Sequence, residues 1–191
     1  MNRYLPILFS LIFGLYGWSQ PEILSKKVQL LASSELSIKG DTNISAFGCD
    51  FNIDFLEEFT DVNYQRNKNR ITFTNAVLFL QNRGFDCGSR GINKDFHEML
   101  NTKDYPNITL ELTDVILNES KNATAIVLIT ISGIQRGYSL PIQIYSSPSN
   151  RFVGSLKLNI NDFKLEPPTK LFGLIEIKDE IDINFDLVAE L

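Results

Sequence analysis

Metal-binding and redox side chains are scarce in this chain of 191 residues, which has one histidine, His97, and two cysteines, Cys49 and Cys87. A structural zinc cage takes about four such ligands, so a His/Cys metal centre is excluded and no metal or cofactor is expected. Basic side chains are outnumbered, 18 against 23 acidic, giving a formal charge of −5. A chain of that sign repels a phosphate backbone, so no nucleic acid is expected as a partner. Also missing are an apolar run of the ~20 residues that span a bilayer, a Pro/Gly/Ser-rich linker and a tandem repeat. No Ser/His/Asp, Cys/His, Walker or dinucleotide pattern stands out, and the chain is read as a non-enzyme.

What remains is 43% apolar and 21% charged, the balance of an ordinary globular protein. The N-terminus carries a targeting pattern. Met1-Asn2-Arg3 precedes an apolar run from Tyr4 to Tyr16, and small residues follow at Gly17 and Ser19. This reads as a secretory signal peptide over residues 1–19, cleaved after Ser19. Residues 20–191 then form one domain. Cleavage removes Arg3, taking the charge to −6, and Trp18, the only tryptophan. No cysteine stands at the new terminus to carry a lipid, so no stable membrane anchor is expected and the localisation is periplasmic or secreted. In an oxidising compartment Cys49 and Cys87 are read as a disulfide, with two free, buried thiols as the alternative.

From Val28 onward the dominant pattern is period-2 alternation, the mark of strands with one buried face. Examples are Leu36 and Ile38; Phe47, Cys49, Phe51, Ile53 and Phe55; and Ile71, Phe73, Val77 and Phe79, interrupted at Asn75. Others are Ile108, Leu110 and Leu112; Val127, Ile129 and Ile131; Leu140, Ile142 and Ile144; and Leu156, Leu158 and Ile160. A loop over 178–180 is expected to close a C-terminal hairpin, because it sets Ile177 against Ile181. One segment breaks the alternation: Gly91 to Leu100 places Phe96, Met99 and Leu100 on one helical stripe, with Asn93 as the expected cap. The spacing therefore predicts nine or ten antiparallel strands and one short helix, in a single sandwich or barrel.

The order of several short motifs resembles the YceI-like family. They are Leu36-Ser37-Ile38-Lys39-Gly40-Asp41-Thr42-Asn43 running to Phe47-Gly48-Cys49, Phe85-Asp86-Cys87-Gly88, Asn93-Lys94-Asp95-Phe96-His97, and Tyr105-Pro106-Asn107-Ile108. Leu128 to Gly133, Leu140-Pro141, Asn161-Asp162-Phe163 and Asp179 to Phe185 follow in order, so the likeness spans about residues 28 to 188. It implies an all-β, antiparallel lipocalin-like barrel of about eight strands with one short helix, exported and holding a polyisoprenoid or similar apolar lipid. Better-known members carry more histidines near the first strand and before the helix, whereas this chain keeps only His97.

A site for such a lipid needs aliphatic and aromatic walls. The candidate ligand-binding residues are Phe73, Val77, Phe79, Phe96, Met99, Ile129, Ile131, Leu140, Ile142 and Ile144. The competing reading is that they pack on one another, in a β-barrel interaction or stress-response module with a filled interior. A homodimer is compatible with either. His97 is expected on the exposed side of the helix. Gly88-Ser89-Arg90-Gly91 and the run Arg66, Lys68 and Arg70 are candidate anion sites, read more simply as a turn and a solvated hairpin tip. Four Asn-x-Ser/Thr sequons begin at Asn43, Asn107, Asn118 and Asn122, silent in a bacterial periplasm.

Overall fold

The computed structural model describes residues 22–56, 60–167 and 176–190. The expected signal peptide lies outside the described residues. The strands are β1 Leu24–Leu30, β2 Glu35–Thr42, β3 Ala46–Phe51, β4 Thr60–Asn67, β5 Arg70–Gln81, β6 Phe85–Asp86, β7 Asn107–Leu117, β8 Asn122–Ile131, β9 Ile134–Tyr145, β10 Asn150–Asn159 and β11 Ile177–Glu190. One α-helix, α1, spans Arg90–Met99. All pairings are antiparallel, in the order β1-β4-β5-β7-β8-β9-β10-β11-β2-β3-β6. A further pairing of β1 with β11 closes eight strands into a ring. Strands β2, β3 and β6 extend from β11 as a flap beside it.

The ring is a barrel because its inner face is apolar strand after strand. Ile71 opposes Val115, Val115 opposes Ala125 and Ala125 opposes Leu140; further round, Ile144 opposes Phe152 and Leu156 opposes Ile183. The buried side chains form two clusters. One lies under α1 and contains Leu80, Phe85, Phe96, Ile108, Ile129, Ile131, Leu158 and Ile160. The other, toward the opposite end, contains Val115, Ala123, Ala125, Leu140 and Ile142. Val127, Leu156 and Phe185 touch both.

Three local expectations are corrected. Residues 178–180 are not a hairpin loop but a bulge inside β11: Ile177 faces Thr42 and Ile181 faces Gly40, so three residues oppose Asp41 alone. A three-residue loop and a three-residue bulge both return Ile177 and Ile181 to one face, and alternation cannot separate them. In β5 the register shifts between Thr72 and Ala76, so the inner positions become Ala76, Leu78 and Leu80. Val77 and Phe79 therefore point outward, and Phe79 is 46% exposed. The helix is capped by Ser89, whose Oγ accepts from the Ile92 amide at 3.3 Å, not by Asn93. Asn93 reaches back instead, accepting from the Cys87 amide at 2.6 Å and donating to Asp86 at 3.1 Å.

Candidate functional site: the apolar barrel interior

Under α1 the barrel encloses a cavity of about 50 Å³ whose lining is entirely apolar. Helix residues Phe96, Met99 and Leu100 form its roof. The walls come from Leu36 and Ile38 of β2, Leu80 of β5, Ile108 and Leu110 of β7, Ile129 and Ile131 of β8, and Ile181 and Ile183 of β11. Phe47, Phe85, Ile160, Leu165 and Ile177 complete it. Alternation puts these side chains inside, and the apolar stripe of α1 closes that end. Further down the barrel Leu112, Val127, Leu156 and Phe185 face inward yet remain only half-buried.

The expected lining residues divide into three sets. Phe96, Met99, Ile129 and Ile131 line the cavity. Phe73, Leu140, Ile142 and Ile144 face inward in the second cluster, outside that cavity. Val77 and Phe79 stand on the outer face, because the β5 bulge reverses their sense. Leu80, Ile108, Leu110, Ile160, Leu165, Ile181 and Ile183 were not among the expected residues. For the strand residues Leu80, Ile108, Leu110 and Ile183 the signal was available: an amphipathic helix needs something to cover, and the strand residues nearest its end of the barrel are what it covers.

The roof is held at both ends. Cys49 of β3 and Cys87, just before α1, form a disulfide, and the alternative of two free thiols falls. Asn82, 1% exposed, donates from Nδ2 to Thr102 Oγ1 at 3.0 Å and to the Tyr105 carbonyl at 2.9 Å. His97 is half-buried rather than exposed, and its Nε2 meets the Asn82 carbonyl at 3.1 Å. Among the described residues no carboxylate is hydrogen-bonded to its ring, and the contact with Asn82 ties the helix to the turn after β5.

One seam in the wall lacks ladder bonds. Strands β9 and β10 pair only from Arg151 opposite Tyr145 to Gly154 opposite Ile142. Beyond that a 3-10 turn, Ile160–Phe163, fills the gap, with Ile160 and Phe163 each 1% exposed. The Tyr138 ring stacks on Phe163 at 6.3 Å, and its hydroxyl donates to Asp162 at 3.4 Å. Burial first, then the Asp162 charge, pushes the Tyr138 phenol above its ordinary value.

The two candidate anion sites lie elsewhere. Gly88 and Ser89 form the turn and cap of α1, and Arg90 and Gly91 are its first two residues, all exposed. The basic run is split: Arg66 shares the inner face with Ile71, opposite which it sits. Arg70 lies outside, its Nε donating to Asp114 at 2.7 Å, and Lys68 takes the positive-φ position of the turn between them.

Comparison with curated proteins finds no match. Among solved structures the chain is similar to Burkholderia cenocepacia BcnA, at 17% identity and a TM-score of 0.66, over 83% of this chain and 98% of that one. It is similar to a polyisoprenoid binding domain from Saccharophagus degradans implicated in plant cell wall breakdown, at 13% identity and a TM-score of 0.60, over 85% and 97%. The Campylobacter jejuni YCEI protein matches at 14% identity and a TM-score of 0.51, over 100% and 99%. At such identities the likeness is one of fold. The model of the YceI-like domain matches residues 50–189, well over half of the sequence. On that match the chain belongs to the YceI-like domain family.

Proposed function

We propose that this chain is an exported, non-catalytic carrier that binds a polyisoprenoid or another long apolar molecule inside its barrel. The observation that carries the reading is the interior itself: a roofed cavity lined by apolar side chains alone, continued by inward side chains that stay half-buried along the barrel. Covering such surface with an isoprenoid chain is worth about 25 cal/mol per Å². The Saccharophagus relative, named for polyisoprenoid binding, supports the same ligand class. The disulfide and the signal-like first 19 residues support a periplasmic or secreted location.

The enclosed space of about 50 Å³ favours the second reading, a filled module without a ligand. Ligand pockets usually offer roughly 300–1,000 Å³, so uptake requires interior side chains to part. The test is displacement of a fluorescent prenyl probe from delipidated protein by a long isoprenoid quinone. Saturable displacement is expected, and Leu110→Trp, which fills the lumen, should abolish it while the circular dichroism of the barrel is kept. A delipidated protein that takes up no probe supports the filled module.

A further inference from the structure

We infer that the apolar ligand enters the barrel sideways, through a gate formed by Met99 of α1 and Leu165, at the edge of the roof beside the β9–β10 seam. This rests on the carrier reading and adds the route by which the cavity fills. The observation is a shared wall. Outside the barrel a groove of about 570 Å³ runs between the end of α1, the β8–β9 turn and the segment that follows the 3-10 turn. Met99 and Leu165 line this groove, and the same two side chains line the enclosed cavity. At that point the cavity is one side chain away from solvent.

The two sides of the gate are held differently. The helix side is fixed: Ser132 Oγ donates to the Leu100 carbonyl at 2.7 Å, and Asn82 Nδ2 donates to Thr102 and Tyr105 just beyond. The Leu165 side is held by its own segment. Its amide donates to the Ile160 carbonyl at 3.2 Å, and the Lys164 amide to the Asn161 carbonyl at 3.0 Å, so both bonds stay inside the turn. Among the described residues no backbone hydrogen bond joins residues 160–165 to β9. What ties this segment to β9 is the Tyr138 ring on Phe163 and the Tyr138 hydroxyl on Asp162. Passage through a laddered part of the wall would break backbone hydrogen bonds and leave their groups unpaired. Here only side chains need to part, and segments of this kind open locally at low cost. Met99 suits the other side, because an unbranched thioether changes shape readily.

The lengthwise route from the opposite end is obstructed. Val127, Leu156 and Phe185 pack between the two clusters, and the space beside Gly154 is taken by the Phe185 ring. A chain entering there would have to part the middle of the barrel before it reached the cavity. An isoprenoid chain is long and thin, and a gap the width of one side chain passes it end first.

Both native cysteines are in the disulfide, so an introduced cysteine is the one free thiol. The experiment places it at the exposed Glu166, on the gate, or at the exposed Glu119, between β7 and β8 at the opposite end, and caps it with a polyethylene glycol maleimide. Stopped-flow fluorescence then follows uptake and release of a fluorescent farnesyl probe by the delipidated protein. The Glu166→Cys adduct is expected to slow both rates about tenfold or more, with the equilibrium affinity unchanged, because a blocked route acts on both directions alike. The Glu119→Cys adduct should match the unmodified protein. Slowing by the Glu119→Cys adduct alone overturns the gate and moves entry to the opposite end. Equal rates in all three proteins overturn it too, and both results leave the carrier reading standing. A Glu166→Cys adduct that weakens affinity at an unchanged uptake rate makes the groove a place of binding rather than passage, and overturns the gate. No uptake by the unmodified protein overturns the carrier reading and the gate with it.

Discussion

Asp114 lies on the outer face of β7, 8% exposed, where it accepts from Arg70 at 2.7 Å and from Thr72 at 2.8 Å. The Arg70 hydrogen bond first, and its charge with it, hold the Asp114 carboxyl below its ordinary value, against the opposing pull of burial. A carboxylate depressed in the folded state contributes stability above its unfolded pKa, and that stability is lost as pH falls through the folded value. Asp114→Asn is therefore expected to destabilise by about 1 kcal/mol at neutral pH, the exposed guanidinium keeping the figure small. The difference from wild type should be complete above about pH 4 and vanish at lower pH. Urea titrations across that range check it, and a difference that persists unchanged in acid would contradict the linkage. Gly154 matters for a different reason. A methyl group added there would sit 2.6 Å from Phe185 Cζ and 3.1 Å from Ile142 Cγ2, in the middle of the barrel. Gly154→Val is expected to cost about 2 kcal/mol by overpacking, read as a lowered melting temperature. Alternation alone marks Gly154 as an inner position. It does not show that a ring from the next strand occupies the space a side chain would take.

The elements show where sequence periodicity runs out. Most of the alternation found along the chain became strand and the one helical stripe became α1, but Ile53 and Phe55, expected to continue β3, form a 3-10 turn, and Ile160 begins another just past β10. The departures occur where a side chain takes over backbone work. Asn75 interrupts β5 because its amide substitutes for ladder bonds: Oδ1 accepts from the Asn63 amide and Nδ2 donates to the Asp61 carbonyl. Inserting those residues turns Val77 and Phe79 outward, and no count of apolar spacing reveals that. The helix cap went to Ser89 for a similar reason, since the Asn93 side chain is engaged by Cys87 and Asp86. Ser89→Ala should cost about 1 kcal/mol. The roof is further tied by the disulfide, which closes 38 residues of sequence. The paired Cys49→Ser/Cys87→Ser variant is expected to lose up to about 4 kcal/mol, chiefly through the unfolded chain. Thermal unfolding with and without reductant checks this, and equal stability of the two forms would show that the bond is superfluous. At the β9–β10 seam Phe163→Ala should cost about 3–4 kcal/mol, because a wholly buried ring is removed from a gap with no ladder bonds to hold it.

At the scale of the molecule, ring closure depends on two residue pairs between β1 and β11, Gln29 with Glu190 and Leu30 with Ala189. The all-β class, the single helix and the inward faces were legible because they follow from patterns a few residues long. Closure, the flap of β2, β3 and β6, and the meeting of Met99 with Leu165 were not, because they depend on how segments far apart in sequence come together. The same distinction holds for the site. Phe96, Met99, Ile129 and Ile131 could be named from stripe and alternation, while Leu165 and Ile181 reach the cavity only through the folded chain. The scarcity of histidine and cysteine fits a working surface made of carbon. What decides the account is whether that surface takes up a ligand. Native mass spectrometry of the delipidated protein after exposure to a polyisoprenoid quinone measures this directly. The account predicts a second species heavier by the mass of one quinone, lost in Leu110→Trp. A protein that stays at its own mass at saturating quinone would contradict it.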